Sequence, residues 1–466
     1  MNLHRNILKL AVPSIFANIT VPLVGMVDIA VAGHLGASGA IPAATLIGGI
    51  SIGTMLFDML YWNFGFLRGG TGGLTAQAFG RWRSGFLEAV RDITLTLKRA
   101  LGIALGSGLL LVALQWVVVQ VAFLLVDCSP EVQELATQYF YIRIWAAPAT
   151  LSLFAFKGWF IGMQDTVRPM TSDLIVNFTN ILLSVGLAFG YAGLPALGFA
   201  GVAYGTLIAQ WTGFAYAALA VWIRYGRIFR EARDSFASLG MTEGTGNGSW
   251  RAFFVLNRDL FIRSMCMIAV YIGFTMISAR YGDMMLAVGA ILMKLLMIFS
   301  YFTDGFAYAG EALTGRFIGE GSPEGVRTTV RQTFVWSIGV TFLFFLVYGV
   351  GGVPLLKLMT SDPDVVESAR EFIPWLLLMP VIGCPAFTWD GIFTGATASK
   401  DLRNSTAWCV LGFFGVWFAG IGLAKALLGT VSETLAIHIL MAAYFTHLAV
   451  RALYLTLRAR KAIPGV

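Results

Sequence analysis

Asp28 is the residue of this sequence with the clearest capacity for chemistry, because it is the only formally charged residue between Lys9 and His34 in a long apolar stretch. A stretch of this length can cross a bilayer at about 1.5 Å per residue. A carboxylate inside the hydrocarbon costs roughly 2.5 kcal/mol or more, so we expect Asp28 to face a polar cavity and to act there. The alternative is an Asp near a helix end, where it would reach water or cap a neighbour.

Asn177 and Asn180, in the string VNFTNILLS, are polar residues of another apolar segment. They are about one helical turn apart and therefore share a face. Side-chain amides inside a membrane seek hydrogen-bond partners across helix interfaces. The pair either joins two helices or orients Asp28 and its proton.

Other ionisable residues also fall inside apolar segments, namely Asp58, Lys157, Lys294, Asp304, Glu311 and Asp390. Asp304 and Glu311 are two helical turns apart, and Lys294 precedes Asp304 by nearly three turns, so these three lie near one helix face. Such a mixed-sign stripe indicates an ion-paired network or a water-filled pathway. Lys294 could instead simply neutralise a carboxylate on a neighbouring helix.

Asp58 and Lys157 have simpler interpretations than the stripe. Asp58 is either a pathway residue or a polar contact beside Trp62 and Asn63. Lys157 lies near the end of its segment, where we expect its long side chain to extend to the membrane surface.

The composition is that of a polytopic membrane protein. Of the 466 residues, 57% are hydrophobic and only 12% are charged, which no soluble domain of this size requires. The apolar runs do not alternate with polar residues as the strands of a membrane barrel would, so they predict helices. The 53 glycines suit helices that pack closely or bend.

Twelve membrane spans are predicted from the apolar runs between charged or Gly/Pro breaks. Their predicted limits are 9–35, 43–67, 101–126, 136–160, 170–191, 198–223, 260–281, 285–311, 333–357, 371–395, 405–428 and 433–456. The segments 68–100 and 224–259 are predicted as polar connectors. The first run is too long for the apolar region of a cleavable signal, so it is expected to be a retained span.

The basic residues predict the orientation. Most of them fall, together with both termini, in connectors on one side, and the other side keeps only Arg143, Arg280, Lys357, Arg370 and Lys425. The positive-inside rule places the basic side in the cytoplasm. This asymmetry explains the net charge of +7, and the dispersed charges indicate no nucleic-acid partner.

Two weak echoes indicate an internal duplication. The string GLTAQAFG at 73–80 resembles ALTGRFIG at 312–319, and Phe160-x-Gly162 resembles Phe393-x-Gly395. The echoes follow corresponding spans in each half. Because each half has an even number of spans, we expect parallel repeats about an axis along the membrane normal, with a substrate path between them.

Enzymatic activity is not expected. No GxxxxGK[ST], HExxH or CxxC pattern occurs, and the four histidines (His4, His34, His438 and His447) lie towards the chain ends without forming a catalytic set. The cysteines form no readable disulfide framework or metal site. Any transport is therefore expected to be driven by an ion gradient, without a cofactor, unless another subunit hydrolyses ATP.

Several strings resemble the MATE (multidrug and toxic compound extrusion) family, and within it the DinF branch. They are PSIFANITVPLVGMVDIAVAGHLG, FLRGGTGGLTAQAFG, NRDLFIRS, TDGFAYAGEALTG and WDGIFTGATASKDLRNS, and the resemblance covers essentially the whole chain. It implies an all-α fold of two six-helix lobes related by a pseudo-two-fold axis along the membrane normal, in a V around a central cavity. It also implies export of drugs and other organic compounds in exchange for protons or sodium ions.

The resemblance also implies site residues. In this branch an Asp of the first helix is taken as the protonation site, and it corresponds to Asp28. Pro13, Pro22 and Gly25 supply places where that helix can bend. The Asn-Asn-Asp pattern of the branch's fifth helix reads Asn177, Asn180, Ser184, so the final acid is missing. This argues against a two-carboxylate relay. With Asn18, these residues form the predicted polar network of the first lobe.

The coupling ion is expected to be the proton. The sodium-coupled branch pairs acids on helices seven and ten, and the apolar core of span seven (260–281) has no acid. Sodium stays an alternative through a second-lobe network of Lys294, Asp304, Glu311 and Asp390, with Asp390 as the ligand. No resident metal is expected. The candidates for lining the cavity are Asp58, Trp62, Asn63, Arg68 and Tyr301.

We therefore predict a secondary multidrug exporter that releases organic, often cationic, compounds in exchange for protons by alternating access. The predicted lobes are 1–225 and 257–466, joined by a cytoplasmic linker at 226–256. The protein is expected to be a monomer of the inner (cytoplasmic) membrane with both termini in the cytoplasm. A lipid-linked precursor flippase is a further alternative, which Lys294 and Arg68, as the only candidate cavity cations, disfavour.

Overall fold

The computed structural model describes residues 3–38, 41–125, 128–239, 250–360 and 363–466. Their regular secondary structure is helical throughout, with no strand in these ranges. The helices are α1 (Leu3–Ser38), α2 (Ala43–Trp62), α3 (Gly65–Arg83), α4 (Ala89–Ala113), α5 (Gln115–Leu125), α6 (Pro130–Arg143), α7 (Ala147–Gly162), α8 (Val167–Phe189), α9 (Phe199–Leu239), α10 (Trp250–Ala279), α11 (Asp283–Gly319), α12 (Pro323–Met359), α13 (Pro363–Arg370), α14 (Ile373–Gly395), α15 (Ser399–Leu428) and α16 (Glu433–Ala462).

The prediction of an all-helical membrane fold with twelve spans is confirmed. By length and apolar composition, twelve helical segments among the described residues can cross a membrane, and they follow the predicted order. Their limits are 3–35, 43–83, 89–113, 130–162, 167–189, 199–232, 253–279, 287–319, 323–359, 373–395, 399–428 and 433–462. Two spans are each built from a pair of consecutive helices, α2 with α3 and α6 with α7.

The predicted polar connector at 68–100 is wrong, because α3 continues to Arg83 and α4 begins at Ala89. Its glycines suggested a break, since glycine lowers helix stability in isolation. In the structure they permit close packing instead. A Cβ on Gly158 of α7 would lie 2.1 Å from the carbonyl oxygen of Arg68 in α3.

The connector predicted at 224–259 is also mostly helical. α9 continues to Leu239 and α10 begins at Trp250, so the predicted interlobe linker 226–256 is helical at both ends. Its central part, residues 240–249, lies outside the described residues. Polar and basic residues can extend a helix beyond the bilayer, which a count of apolar residues does not detect.

Two compact units divide the chain. We call Phe16–Trp250 the N-unit, and Arg251–Val466 together with the residues up to Ile15 the C-unit. Each unit has its own apolar core: that of the N-unit includes Phe57 and Phe140, and that of the C-unit includes Phe299 and Phe413. The residues of α1 up to Ile15 thus group with the second half of the chain. The predicted lobe 1–225 places them in the first half.

The two units repeat one close packing arrangement. A Cβ on Gly391 of α14 would lie 2.0 Å from the carbonyl oxygen of Ala307 in α11, as Gly158 approaches Arg68 in the N-unit. The turns after α7 and α14 match as well, since Gln164 (φ 59°) and Thr397 (φ 55°) are both left-handed. Around them the same three backbone hydrogen bonds recur with matching spacing. These features support the predicted duplication.

Candidate functional site

Asp28 is buried in the N-unit, as its position in α1 predicts. Only 5% of the residue is exposed, and its Oδ1 atom is buried without a hydrogen-bond partner among the described residues. The Ser184 hydroxyl of α8 faces the carboxylate, and Arg143 at the end of α6 is the positive charge that acts on it. The carboxylate therefore has partial, not complete, compensation for its burial.

Ser184 is held next to Asp28 by the contact between α8 and α9. It is fully buried, and its hydroxyl donates to the Val202 carbonyl oxygen at 3.4 Å. Gly205 of α9 allows this approach, because a Cβ there would lie 2.6 Å from both the nitrogen and the hydroxyl oxygen of Ser184. The position at which the resemblance expects a second acid thus faces Asp28, with a hydroxyl in its place.

The two asparagines contact different helices. Asn177 donates from Nδ2 to the Thr20 hydroxyl of α1 at 2.8 Å, and the buried Asn180 donates to the Thr206 hydroxyl of α9 at 2.9 Å. Asn177 therefore joins α8 to the helix that carries Asp28, two turns before it. Asn180 joins α8 to α9, and its Oδ1 is buried without a partner among the described residues. The geometry matches the simpler alternative of helix-joining contacts, and the polar partner beside Asp28 is Ser184.

Arg143 is the residue of this site that the sequence did not single out. Its Nη1 donates to the Tyr139 hydroxyl at 3.1 Å, and its guanidinium lies 4.7 Å from the centre of the Phe57 ring. Tyr61, Asp28 and Asp58 also act on its charge. The orientation prediction counted Arg143 among the basic residues of the outer side. In the structure it ends α6, the first of the two helices that build the fourth span.

Three charges therefore meet in the N-unit: Asp28, Asp58 and Arg143. With both carboxylates ionised, the group carries one net negative charge. Adding a proton to Asp28, or one cation nearby, makes the group neutral. The Arg143 guanidinium lies over the rings of Phe57 and Tyr139, so these aromatic faces already interact with a cation.

The other candidates for a cavity lining have varied surroundings. Asp58 and Trp62 are exposed, Asn63 is partly buried and donates to the Met59 carbonyl oxygen at 2.6 Å, and Arg68 is partly buried in α3. Asn18 is partly buried in α1, and Tyr301 is partly buried in α11 of the C-unit. The amide nitrogen of Asn63 thus bonds back to α2, which ends just before it, while its Oδ1 is buried without a partner among the described residues.

Asp390 is the centre of an ion cluster in the C-unit. Its Oδ2 atom lies 2.7 Å from Arg263 of α10 and 3.2 Å from Arg451 of α16, and Arg451 is only 1% exposed. Neither arginine was predicted, although the string NRDLFIRS contains Arg263. The seventh span begins at Phe253 and therefore contains a fully buried acid, Asp259, which the predicted limits 260–281 left out.

The stripe on α11 differs in burial along its length. Glu311 is fully buried, Asp304 is partly buried and Lys294 is exposed. Asp390 pairs with the two arginines and not with Lys294. In the N-unit, Lys157 forms an ion pair with Asp173 at 2.7 Å.

The sequence Gly49-Ile50-Ser51-Ile52-Gly53 has the GxSxG spacing of serine hydrolases, but its context is different. It lies within α2, and Gly49 and Gly53 pack against Leu135 and Tyr139 of α6. In α/β-hydrolases this motif places its serine on a strained turn between a strand and a helix. Within the described ranges, no group of three or more His, Cys, Asp or Glu side chains could hold a metal ion.

Comparisons with known proteins agree with this architecture. The model of the MatE family matches residues 13–185 and 260–421. DNA damage-inducible protein F of Escherichia coli is 34% identical over 408 residues, which cover 87% of this chain and 83% of that protein. A probable multidrug resistance protein NorM of Thermotoga maritima is 23% identical over 91% of this chain and 85% of its own length.

A solved structure, that of the Vibrio cholerae MATE transporter VcmN in its bent form, has the same fold. It superposes with a TM-score of 0.79 at 17% identity, over 99% of this chain and 97% of the other. The family match covers both units and includes the segments that carry Asp28, Ser184 and Asp390. The chain is a multi-pass membrane transporter, not an enzyme, and it belongs to the MatE family of multidrug and toxic compound efflux proteins.

Proposed function

We propose that this protein exports organic cations in exchange for protons, with Asp28 as the coupling residue. The observation that carries the proposal is the buried Asp28 carboxylate with Ser184 and Arg143 beside it and one oxygen left without a hydrogen bond. Membrane-embedded acids of this kind mark ion pathways. The membrane would be the inner membrane, with both termini in the cytoplasm.

The charge balance of the site supports exchange over simple binding. The group of Asp28, Asp58 and Arg143 becomes neutral with one proton or with one cation, so the two compete for the same negative charge. One pH unit across the membrane supplies about 1.4 kcal/mol per proton. A single coupling carboxylate therefore supports a modest substrate gradient, unless the membrane potential contributes.

α1 is the element through which protonation would act. It carries Pro13 and Pro22, and a Cβ on Gly25 would meet nothing within 4 Å, so the helix has room to bend there. The hydrogen bond from Asn177 to Thr20 is one of its ties to α8. Neutral Asp28 no longer attracts Arg143, so α1 repacks, substrate leaves, and release of the proton on the cytoplasmic side restores affinity.

The surroundings of Asp390 disfavour the sodium alternative. Two guanidinium groups within 3.2 Å of one oxygen already neutralise this carboxylate. A sodium ion there would have to displace an arginine or face two positive charges. A flippase would need arginines open to a pyrophosphate, and Arg451 is buried.

The test is transport into proteoliposomes driven by an imposed pH gradient, with a fluorescent organic cation as substrate. We expect Asp28→Asn to abolish uptake and Asp28→Glu to retain a measurable part, because only the latter keeps a titratable group. Asp401→Asn, which removes a carboxylate paired with the partly exposed Arg458, is the matched control and should transport normally.

Gradient-driven uptake by Asp28→Asn at the wild-type rate would refute the coupling role. A sodium gradient at constant pH serves as the second arm. Stimulation of the wild type by sodium, abolished in Asp390→Asn and not in Asp28→Asn, would establish the C-unit alternative instead.

A further inference from the structure

A basic groove lies at the end of the sixth span, outside the site described above. It is about 550 Å³ in volume, and its walls include Arg168 at the start of α8 and Arg224, Arg227 and Arg230 of α9. None of the residues that line it is acidic. Four positive charges from two helices around one groove make a local anion site.

Two arginines of the groove are held in place by Asp165, in the turn between α7 and α8. Asp165 lies 4.0 Å from both Arg168 and Arg224, and it also accepts a hydrogen bond from the Tyr225 hydroxyl at 2.8 Å. One carboxylate therefore serves two guanidinium groups. The charge of the groove stays strongly positive, while its shape is fixed by the turn between α7 and α8.

Apolar side chains adjoin the arginines on the side of the bilayer. Trp222 is 81% exposed and Ile223 is 73% exposed, and both line the groove. Ile223, Arg227 and Arg230 follow one another at four- and three-residue intervals, so they share a face of α9. That face is apolar towards the membrane centre and basic at its end, which matches an acyl chain below a phosphate.

We propose that this groove binds the phosphate headgroup of an anionic phospholipid. A soluble anion would use the arginines alone, whereas a lipid also covers Trp222 and Ile223. Basic pockets at the ends of membrane helices bind anionic headgroups in this way. By the positive-inside rule the groove faces the cytoplasmic leaflet. A bound lipid would fix the ends of α8 and α9, the two helices that position Ser184.

The experiment measures thermal unfolding of the purified full-length protein in neutral detergent, with added phosphatidylglycerol, phosphatidylcholine or soluble glycerol phosphate. We expect phosphatidylglycerol to raise the Tm by several degrees and the other two to leave it nearly unchanged. The double variant Arg227→Gln/Arg230→Gln should lose at least half of the shift. Arg331→Gln, an exposed arginine of α12, is the control and should keep it.

Three outcomes would overturn the proposal. They are an equal shift with phosphatidylcholine, an equal shift with glycerol phosphate, which would indicate a soluble-anion site, and an equal loss in Arg331→Gln, which would indicate general charge attraction. Native mass spectrometry gives an independent readout, because retained phosphatidylglycerol should fall in the double variant even if that variant is less stable.

Discussion

With Ser184 at this position, no acidic side chain among the described residues of α8 acts on Asp28. A second carboxylate at position 184 would give the N-unit two acids facing each other, which could share or relay a proton. A hydroxyl can only donate to or accept from the carboxylate. The residue chemistry therefore favours one titrating group, with Arg143 setting the charge around it.

Ser184→Ala should weaken proton-driven uptake about ten-fold without abolishing it. The hydroxyl stabilises the charged form of Asp28, and a hydrogen bond to a charged group contributes about 1.5 kcal/mol at the lower end of its range. Initial rates in proteoliposomes measure this. Thr212→Ala, which removes a hydroxyl bonded only to Ile208 within α9, should leave the rate unchanged. Loss as complete as in Asp28→Asn would contradict a supporting role.

Asp259 is a buried acid with a structural task. It is fully buried in α10, and its carboxylate accepts from Arg403 at 2.8 Å and from the Ser399 hydroxyl at 3.2 Å, so it ties α10 to the start of α15. Asp259→Ala should lower the free energy of unfolding by about 3 kcal/mol, since it leaves a charge without its partner. Asp401→Ala, at a more exposed pair, should cost about 1 kcal/mol or less. Similar losses in the two variants, measured by chemical unfolding, would show that burial does not set the difference.

At the scale of the helices, two pairs are built on glycine contacts. α3 with α7, and α11 with α14, approach so closely that Gly158 and Gly391 face carbonyl oxygens at distances no Cβ could occupy. Membrane helices lack a strong hydrophobic force between them, so such small-residue contacts supply the packing. These pairs fix the helices that carry Arg68 in the N-unit and Asp390 in the C-unit.

Gly158→Ala and Gly391→Ala should each destabilise the protein by about 1–3 kcal/mol, because the added methyl group separates the helices. Gly102→Ala in α4, where a Cβ meets nothing within 4 Å, should be neutral or slightly stabilising. Thermal unfolding in detergent compares the three variants. A Gly158→Ala midpoint equal to that of Gly102→Ala would show that α3 and α7 do not pack so closely.

At the scale of the molecule, the charge groups around Asp28 and around Asp390 have opposite net sign. The N-unit group of Asp28, Asp58 and Arg143 is negative by one charge, and the C-unit cluster of Asp390 with two arginines is positive by one. Repeated helix packing thus supports different chemistry in each unit. This difference is the basis for proposing the cation site in the N-unit.

The predicted orientation places Cys128 on the non-cytoplasmic side of the inner membrane. Cys128 is partly exposed between α5 and α6. Cys266 is also partly exposed but lies within the membrane span of α10, and Cys384 and Cys409 are buried. A membrane-impermeant maleimide should therefore label whole cells through Cys128, and Cys128→Ser should remove the label. Ser84→Cys in a cysteine-free background should react only after the cells are permeabilised, since Ser84 follows α3 on the side predicted to be cytoplasmic. Labelling of Ser84→Cys in intact cells would reverse the orientation.

The sequence by itself determined the membrane class, the number and order of the spans and the burial of Asp28. These follow from local quantities, because the length of an apolar run and the cost of a charge in it need no knowledge of neighbouring helices. The positions at which α3 and α9 end could not be predicted in this way. Glycine-rich and basic segments become helical only through packing or by extending beyond the bilayer.

Only the tertiary structure decided which side chains meet. Arg143 and Arg263 sit among apolar residues in the sequence as ordinary flanking bases, and the folding of α6 and α10 brings them to Asp28 and Asp390 respectively. From the sequence, Ser184 is only the position at which an expected acid is missing. The close contact of α8 with α9 at Gly205 places its hydroxyl next to the Asp28 carboxylate. A charge is costly wherever the membrane is apolar, but its partner depends on which helices touch, and that is set by packing across long chain separations.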